Sequence, residues 1–209
     1  FYGASVFNED IDILDTGAVT DMGGMFVNTK QFNRNISKWN IINVKATDAM
    51  FFNSTAFNQN IDGWNTSKVT DMSTMFMFAN KFNQPLNKWD TTNVRTMAKM
   101  FSDATEFNQP LSNWDTSNVG NMTKMFNNAT SFDQNISSWN VDNIKICDYF
   151  RSEERGPTAG KPVPAFKDCV NYDDPNDREA CKNFPKFEGK CFPGGTAPPP
   201  NPLLPSPTP

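Results

Sequence analysis

The sequence contains no histidine, and its four cysteines never fall as C-x-x-C. The first absence removes the commonest general base, and the two together remove the usual ligand sets of a zinc site. No glycine-rich phosphate loop occurs. Lysine and arginine form no run, net charge is −4 and the pI is near 4.9, which argues against a nucleic-acid or anionic-membrane partner. Apolar runs fall far short of the ~18 residues that a membrane helix needs. Only carboxylates remain for catalysis, as in glycoside hydrolysis, and no pair of them stands outside the repeat pattern below. The chain is therefore expected not to be an enzyme, a carboxylate-based glycosidase being the distant alternative, and no cofactor is implied.

What fills the chain instead is one unit of 25 residues, repeated without insertion or deletion from Phe7, Phe32, Phe57, Phe82, Phe107 and Phe132. Self-similarity at such a period marks an array of small units, none of which can bury its apolar face alone. The phenylalanines form the first apolar column. Ile11, Ile36, Ile61, Leu86, Leu111 and Ile136 form the second. Leu14, Trp39, Trp64, Trp89, Trp114 and Trp139 form the third, using all five tryptophans. Val19 to Ile144, Met22 to Cys147, and the Met-Phe pairs from Met25-Phe26 to Met125-Phe126 complete the set. A Met–aromatic stripe at repeat spacing reads as core and not as a cofactor box.

Met72, Met75, Phe76 and Ala79 fall at helical spacing, and Thr70 or Asp71 is placed to cap that helix. Asn60-Ile61-Asp62 suits a brief strand, followed by a turn at Asn65-Thr66-Ser67. The expected fold is an α/β repeat solenoid of leucine-rich-repeat type, with a short parallel strand and a short helix per coil. It occupies residues 1–150, opening mid-repeat because Phe1 aligns with Phe26. That opening reads as a mature or partial product of something longer.

The asparagines after each phenylalanine (Asn8, Asn33, Asn58, Asn83, Asn108, with Asp133) read as a structural amide ladder. Asp90 above Asp115 reads as a hydrated surface pair in preference to a calcium site. Asp62, Asn87 and Ser112 on the expected strand face are the candidate binding positions.

Cys147, Cys169, Cys181 and Cys191 are expected to form two disulfides, in one of three pairings, within a small cap at residues 151–192 tied to the last coil. Residues 193–209 read as a polyproline II tail, with Ser206 and Thr208 as candidate O-glycosylation sites and a linker or inter-subunit strap as its expected role. Candidate N-glycosylation sites are Asn35, Asn53, Asn65, Asn121, Asn128 and Asn135, with Asn53 and Asn128 preferred because they are expected at a polar helix-to-strand corner.

The strings WNTSKVTDMSTMF (64–76), WDTTNVRTMAKMF (89–101) and WDTSNVGNMTKMF (114–126) resemble the BspA-like leucine-rich-repeat surface proteins over residues 1 to about 150. The first unit departs with Leu14 and Gly23-Gly24, and the sixth with Arg151. The resemblance implies an extracellular or cell-surface protein for adhesion or matrix contact, with protein or glycan partners and no catalytic residues. The alternative is a structural subunit that stacks end to end into an extracellular filament.

Overall fold

The computed structural model describes residues 1–144. Five full units lie within that range, 7–31, 32–56, 57–81, 82–106 and 107–131, numbered here 1 to 5, with the opening of a sixth. The cysteines, the cap, the tail, Ser206 and Thr208 lie outside the described residues.

Successive units stack in register. Single parallel bridges pair Asp21 with Ala46, Ala46 with Asp71, Asp71 with Thr96, and Thr96 with Asn121. Around each bridge the backbone divides its donors in a fixed way. In unit 3 the N–H groups of Met72, Thr74, Phe76 and Phe78 donate to Thr96, Ala98, Met100 and Ser102 of unit 4 at 3.1, 2.8, 2.9 and 2.9 Å. Between them, the N–H groups of Met75, Met77 and Ala79 donate back to Met72, Thr74 and Phe76 at 3.3, 3.1 and 3.0 Å. Alternate peptide groups therefore hold the next unit and close local turns.

This division overturns the helix expected over 72–79. A helix needs each N–H to reach the fourth carbonyl back, whereas half of these reach the next unit. Thr74 (φ 55°) and Phe78 (φ 61°) are also left-handed, which interrupts helical geometry. Both conformations recur four residues apart in every unit: Gly24 and Asn28, Ala49 and Asn53, Lys99 and Asp103, Lys124 and Asn128. The apolar spacing that resembles a helix face comes from turns laid end to end, which bury Met72, Met75, Phe76 and Ala79 and leave Thr74 and Met77 half-buried between them. No helix occurs among the described residues. Nor does a strand form at 60–62, because the Asn60 side chain accepts the Asp62 N–H (3.0 Å) and Trp64 N–H closes a turn on Ile61 (3.1 Å). The lone parallel pairing sits ten residues later, at Asp71.

Thr74 is the costliest of the left-handed residues, since a β-branched side chain is least tolerant of φ above zero. Thr74→Gly is expected to stabilise the protein by about 1 kcal/mol, the left-handed penalty less the glycine entropy cost. A urea titration checks this, and a lowered midpoint would refute it.

The interior is made of the recurring columns. Phe26, Phe51, Phe76, Phe101 and Phe126 stack on one another at 5.4–5.6 Å between centroids. Each also lies 3.9–4.3 Å from the next unit's opening phenylalanine. The tryptophans from Trp64 to Trp139 stack at 6.2–6.5 Å. Every indole N–H is satisfied across units: Trp39 donates to Ile11 O, Trp64 to Ile36 O, Trp89 to Ile61 O, Trp114 to Leu86 O and Trp139 to Leu111 O, at 2.9–3.1 Å. A tryptophan can be buried because its polar edge has a carbonyl waiting one unit earlier.

Two polar ladders reinforce the stack. The side-chain oxygens of Asn8, Asn33, Asn58, Asn83 and Asn108 accept the N–H of the equivalent residue one unit on, at 2.9–3.0 Å. Inside, the hydroxyls of buried Thr16, Thr66, Thr91 and Thr116 donate to carbonyls of the following unit at 2.7–3.1 Å.

Candidate interaction surface

Several columns that vary face outward. The residues just before the tryptophan column, Ile13, Lys38, Gly63, Lys88, Asn113 and Ser138, are all exposed and range from apolar to cationic. Inner constancy and outer variation make each lateral face a set of side chains displayed one unit apart.

The three positions expected to form a binding face do not behave alike. Asn87 and Ser112 are exposed, as a contact face requires. Asp62 is not; it is only 6% exposed. Its carboxylate accepts Lys88 N–H at 2.9 Å and pairs with Lys88 Nζ at 3.3 Å. With its outer partner 74% exposed, the pair ties units 3 and 4 together and leaves nothing for a ligand.

The sequons also sort by geometry. Asn53 and Asn128 adopt left-handed turns (both φ 55°), and their Nδ2 groups donate to Asn28 Oδ1 and Asp103 Oδ1 at 2.7 Å. The nitrogen that a glycan would modify is thus engaged by the previous unit, against the preference stated for these two. Asn35, Asn65 and Asn135 are exposed, and each uses only Oδ1, accepting the N–H two residues on at 2.9–3.1 Å. Asn121 is half-buried at the last bridge and accepts Thr123 N–H at 3.0 Å.

Asp90 and Asp115 turn Oδ1 inward to their own turns, accepting Thr92 and Ser117 N–H at 3.0 and 2.9 Å. Hydrogen bonds from Ser117 hold the Asp115 carboxyl below its ordinary range. No group of three metal-ligating side chains arises among the described residues, and no helix there is long and apolar enough to cross a membrane.

One surface was not anticipated from the sequence. Tyr2, Val27, Phe52 and Met77 occupy a single column, continued by Ser102 and Asn127 in units 4 and 5. Main-chain bonds from Gly3 to Val27 O, Asn28 to Phe52 O and Asn53 to Met77 O (2.8 Å each) stack them in that order. Phe78, from the neighbouring column, meets Phe52 edge-on at 5.6 Å. Beside this apolar stripe lie Asp21, Asp48 and Asp71. A Cβ on Gly23 would stand 2.8 Å from Asp48 Oδ1 and 3.1 Å from Asp21 Oδ1, while one on Gly24 would stand 3.8 Å from the Tyr2 ring. The Gly23-Gly24 backbone is therefore the floor between carboxylates and aromatic ring. The available signal was the replacement of the Ser102 and Asn127 of this column by Val27, Phe52 and Met77 in units 1 to 3.

Burial, then repulsion from Asp71 and Asp21, pushes the Asp48 carboxyl above its ordinary value. A raised native pKa contributes stability only below the unfolded value; that contribution is lost as pH rises through the native one. Asp48→Asn is accordingly expected to raise the melting temperature at pH 7 and to change it little at pH 3. Melting curves at both values check this, and equal shifts would refute it.

No curated protein and no solved structure matches the chain. The family described as "Mycoplasma protein of unknown function, DUF285" matches residues 1–76 and 57–155. Those two matches overlap and together run through all the units described above, so the chain belongs to the DUF285 family.

Proposed function

We propose that the chain is an extracellular or cell-surface contact protein, a repeat solenoid of the BspA-like leucine-rich-repeat kind that binds protein or glycan ligands and does no chemistry. The observation that carries this reading is the partition of the unit: recurring apolar side chains pack inward, while varied residues such as Lys38, Gly63, Lys88, Asn113 and Ser138 are displayed at one-unit intervals. Such a surface suits recognition by area. The disulfides expected among Cys147, Cys169, Cys181 and Cys191, and glycans expected on exposed sequons, would suit the same compartment. The test is protease shaving of intact source cells, followed by a glycan and matrix-protein binding screen with the full chain. Release of repeat peptides and a saturable ligand support the proposal; full protection from protease on intact cells refutes it.

A second reading, a filament subunit, is favoured by the apolar side chains exposed in unit 1, Ile13 (88%) and Leu14 (44%). Negative-stain microscopy without reductant decides between the two: long regular fibres support the filament, and discrete monomers eliminate it.

A further inference from the structure

Two features that the repeat does not require meet in units 1 to 3. The first is the apolar stripe, in which Phe52, Met77 and Phe78 are half-buried and Tyr2 is 74% exposed, with Val27 buried between Tyr2 and Phe52. Their column neighbours show what the stack itself asks for at these corners: Asn28, Asn53 and Asn128 beside Phe78, and Ser102 and Asn127 beyond Met77. An aromatic ring in a left-handed turn, at Phe78, costs backbone energy that asparagine largely avoids. The second is a set of like charges. Asp21, Asp48 and Asp71 face one another across consecutive units, and none joins an ion pair among the described residues. The repeat does not demand these either, since the same positions hold Ala46, Thr96, Ala98 and Thr123 in other units.

We propose that this edge docks a partner protein through a basic side chain set beside an apolar one. The basic group would lie over the Gly23-Gly24 floor between the carboxylates and Tyr2, and the apolar group against Phe52 and Phe78. Charge complementarity selects this occupant. Burial, and then repulsion from Asp71 and Asp21, already disfavours ionised Asp48, and a cation set among the carboxylates relieves that repulsion. A lysine or arginine there also meets an aromatic face. A second copy of the chain complements the edge poorly. The basic part of its equivalent face carries Lys99 and Lys124, but beside them stand Asp103, Asn127 and Asn128, polar groups that the apolar stripe would strip of water. The inference rests on the contact role proposed above and names the class of partner.

The experiment is titration of the full chain with a short alternating Lys–Leu peptide, its Glu–Leu counterpart and a Lys–Ser peptide of equal length, followed by calorimetry. The Lys–Leu peptide is expected to bind, more weakly at high salt, and the other two at least roughly tenfold less well. Asp48→Asn/Asp71→Asn and, separately, Phe78→Asn are each expected to weaken it by roughly tenfold. Phe78→Asn restores the residue of three other units, so the fold survives it, as circular dichroism will verify. Unchanged affinity in both variants overturns the proposal, as does equal binding of the Glu–Leu peptide or no binding of the Lys–Leu peptide. Self-association in sedimentation that Phe78→Asn abolishes would assign the edge to a second copy and overturn it too. None of these outcomes bears on surface display, which shaving of source cells decides separately.

Discussion

Phe76→Ala is expected to cost about 3–5 kcal/mol, the range for emptying an aromatic site in a rigid core. The Phe76 ring is wholly buried and lies between equivalent rings, with Phe82 at 4.0 Å, Phe51 and Phe101 at 5.6 Å and Trp89 at 6.3 Å. Its neighbours are held out of the space: the Phe51 and Phe101 N–H groups donate to Met75 and Met125 of the following units, and the Trp89 indole is tied to Ile61 O. Units of a stack are stabilised mainly through their shared interfaces, so one cavity weakens two interfaces at once. Urea unfolding monitored by circular dichroism measures the effect. Phe7→Ala, at a ring that is only partly buried, is the control and should cost well under half as much. Equal losses at the two sites would show that the aromatic ladder does not carry the stack.

The second large effect is expected at Trp89. Trp89→Phe should cost about 2–4 kcal/mol, combining a lost ring with an Ile61 carbonyl left buried and unpaired. That carbonyl accepts the indole N–H at 3.0 Å. Replacing Trp89 with benzothienylalanine, which keeps the shape and removes the donor, separates the two contributions. The isostere should retain about 1–3 kcal/mol of the loss, the usual penalty for an orphaned buried acceptor. A neutral isostere would mean that tryptophan is there for volume alone.

The core was legible in the sequence because burial repeats with the unit. The Phe, Ile/Leu, Trp and Val columns read from the period are buried from Phe32 through Ile144. The backbone path was not legible from those columns. Met72, Met75, Phe76 and Ala79 recur at spacings of three and four, a pattern that a helix and a run of linked turns both produce. The distinguishing signs were Gly24 and Asn28, Asn53 and Asn128, residues suited to left-handed turns at two positions four apart. The same gap explains the sequons: turn geometry, which the columns do not reveal, decides that the Asn53 and Asn128 amide nitrogens serve the previous unit, and the corner expected to be polar carries Phe52 and Phe78 beside Asn53. Asp62 misled for a related reason. Its column reads as surface, yet in unit 3 a lysine one unit on, Lys88, closes over it. The apolar stripe was not legible because it is made of departures from the repeat, at Val27, Phe52, Met77 and Phe78.

The donor-acceptor rule between units has a consequence for how such a chain can change length. Each unit offers the next one the same contacts: the Asn33 side chain receives Asn58 N–H, the Asn58 side chain receives Asn83 N–H, and Trp64 and Trp89 reach back to Ile36 and Ile61. Excising residues 57–81 as a block would set Phe82 after Ala56 and bring Asn83 N–H to Asn33, with Trp89 over Ile36. No column would change phase. Duplication or loss of whole units is therefore nearly silent for the fold, while an insertion of any other length displaces every ladder downstream. A lineage carrying this gene can lengthen, shorten and shuffle its display surface through recombination between its own repeats, paying only at the seam where two unlike faces are newly joined.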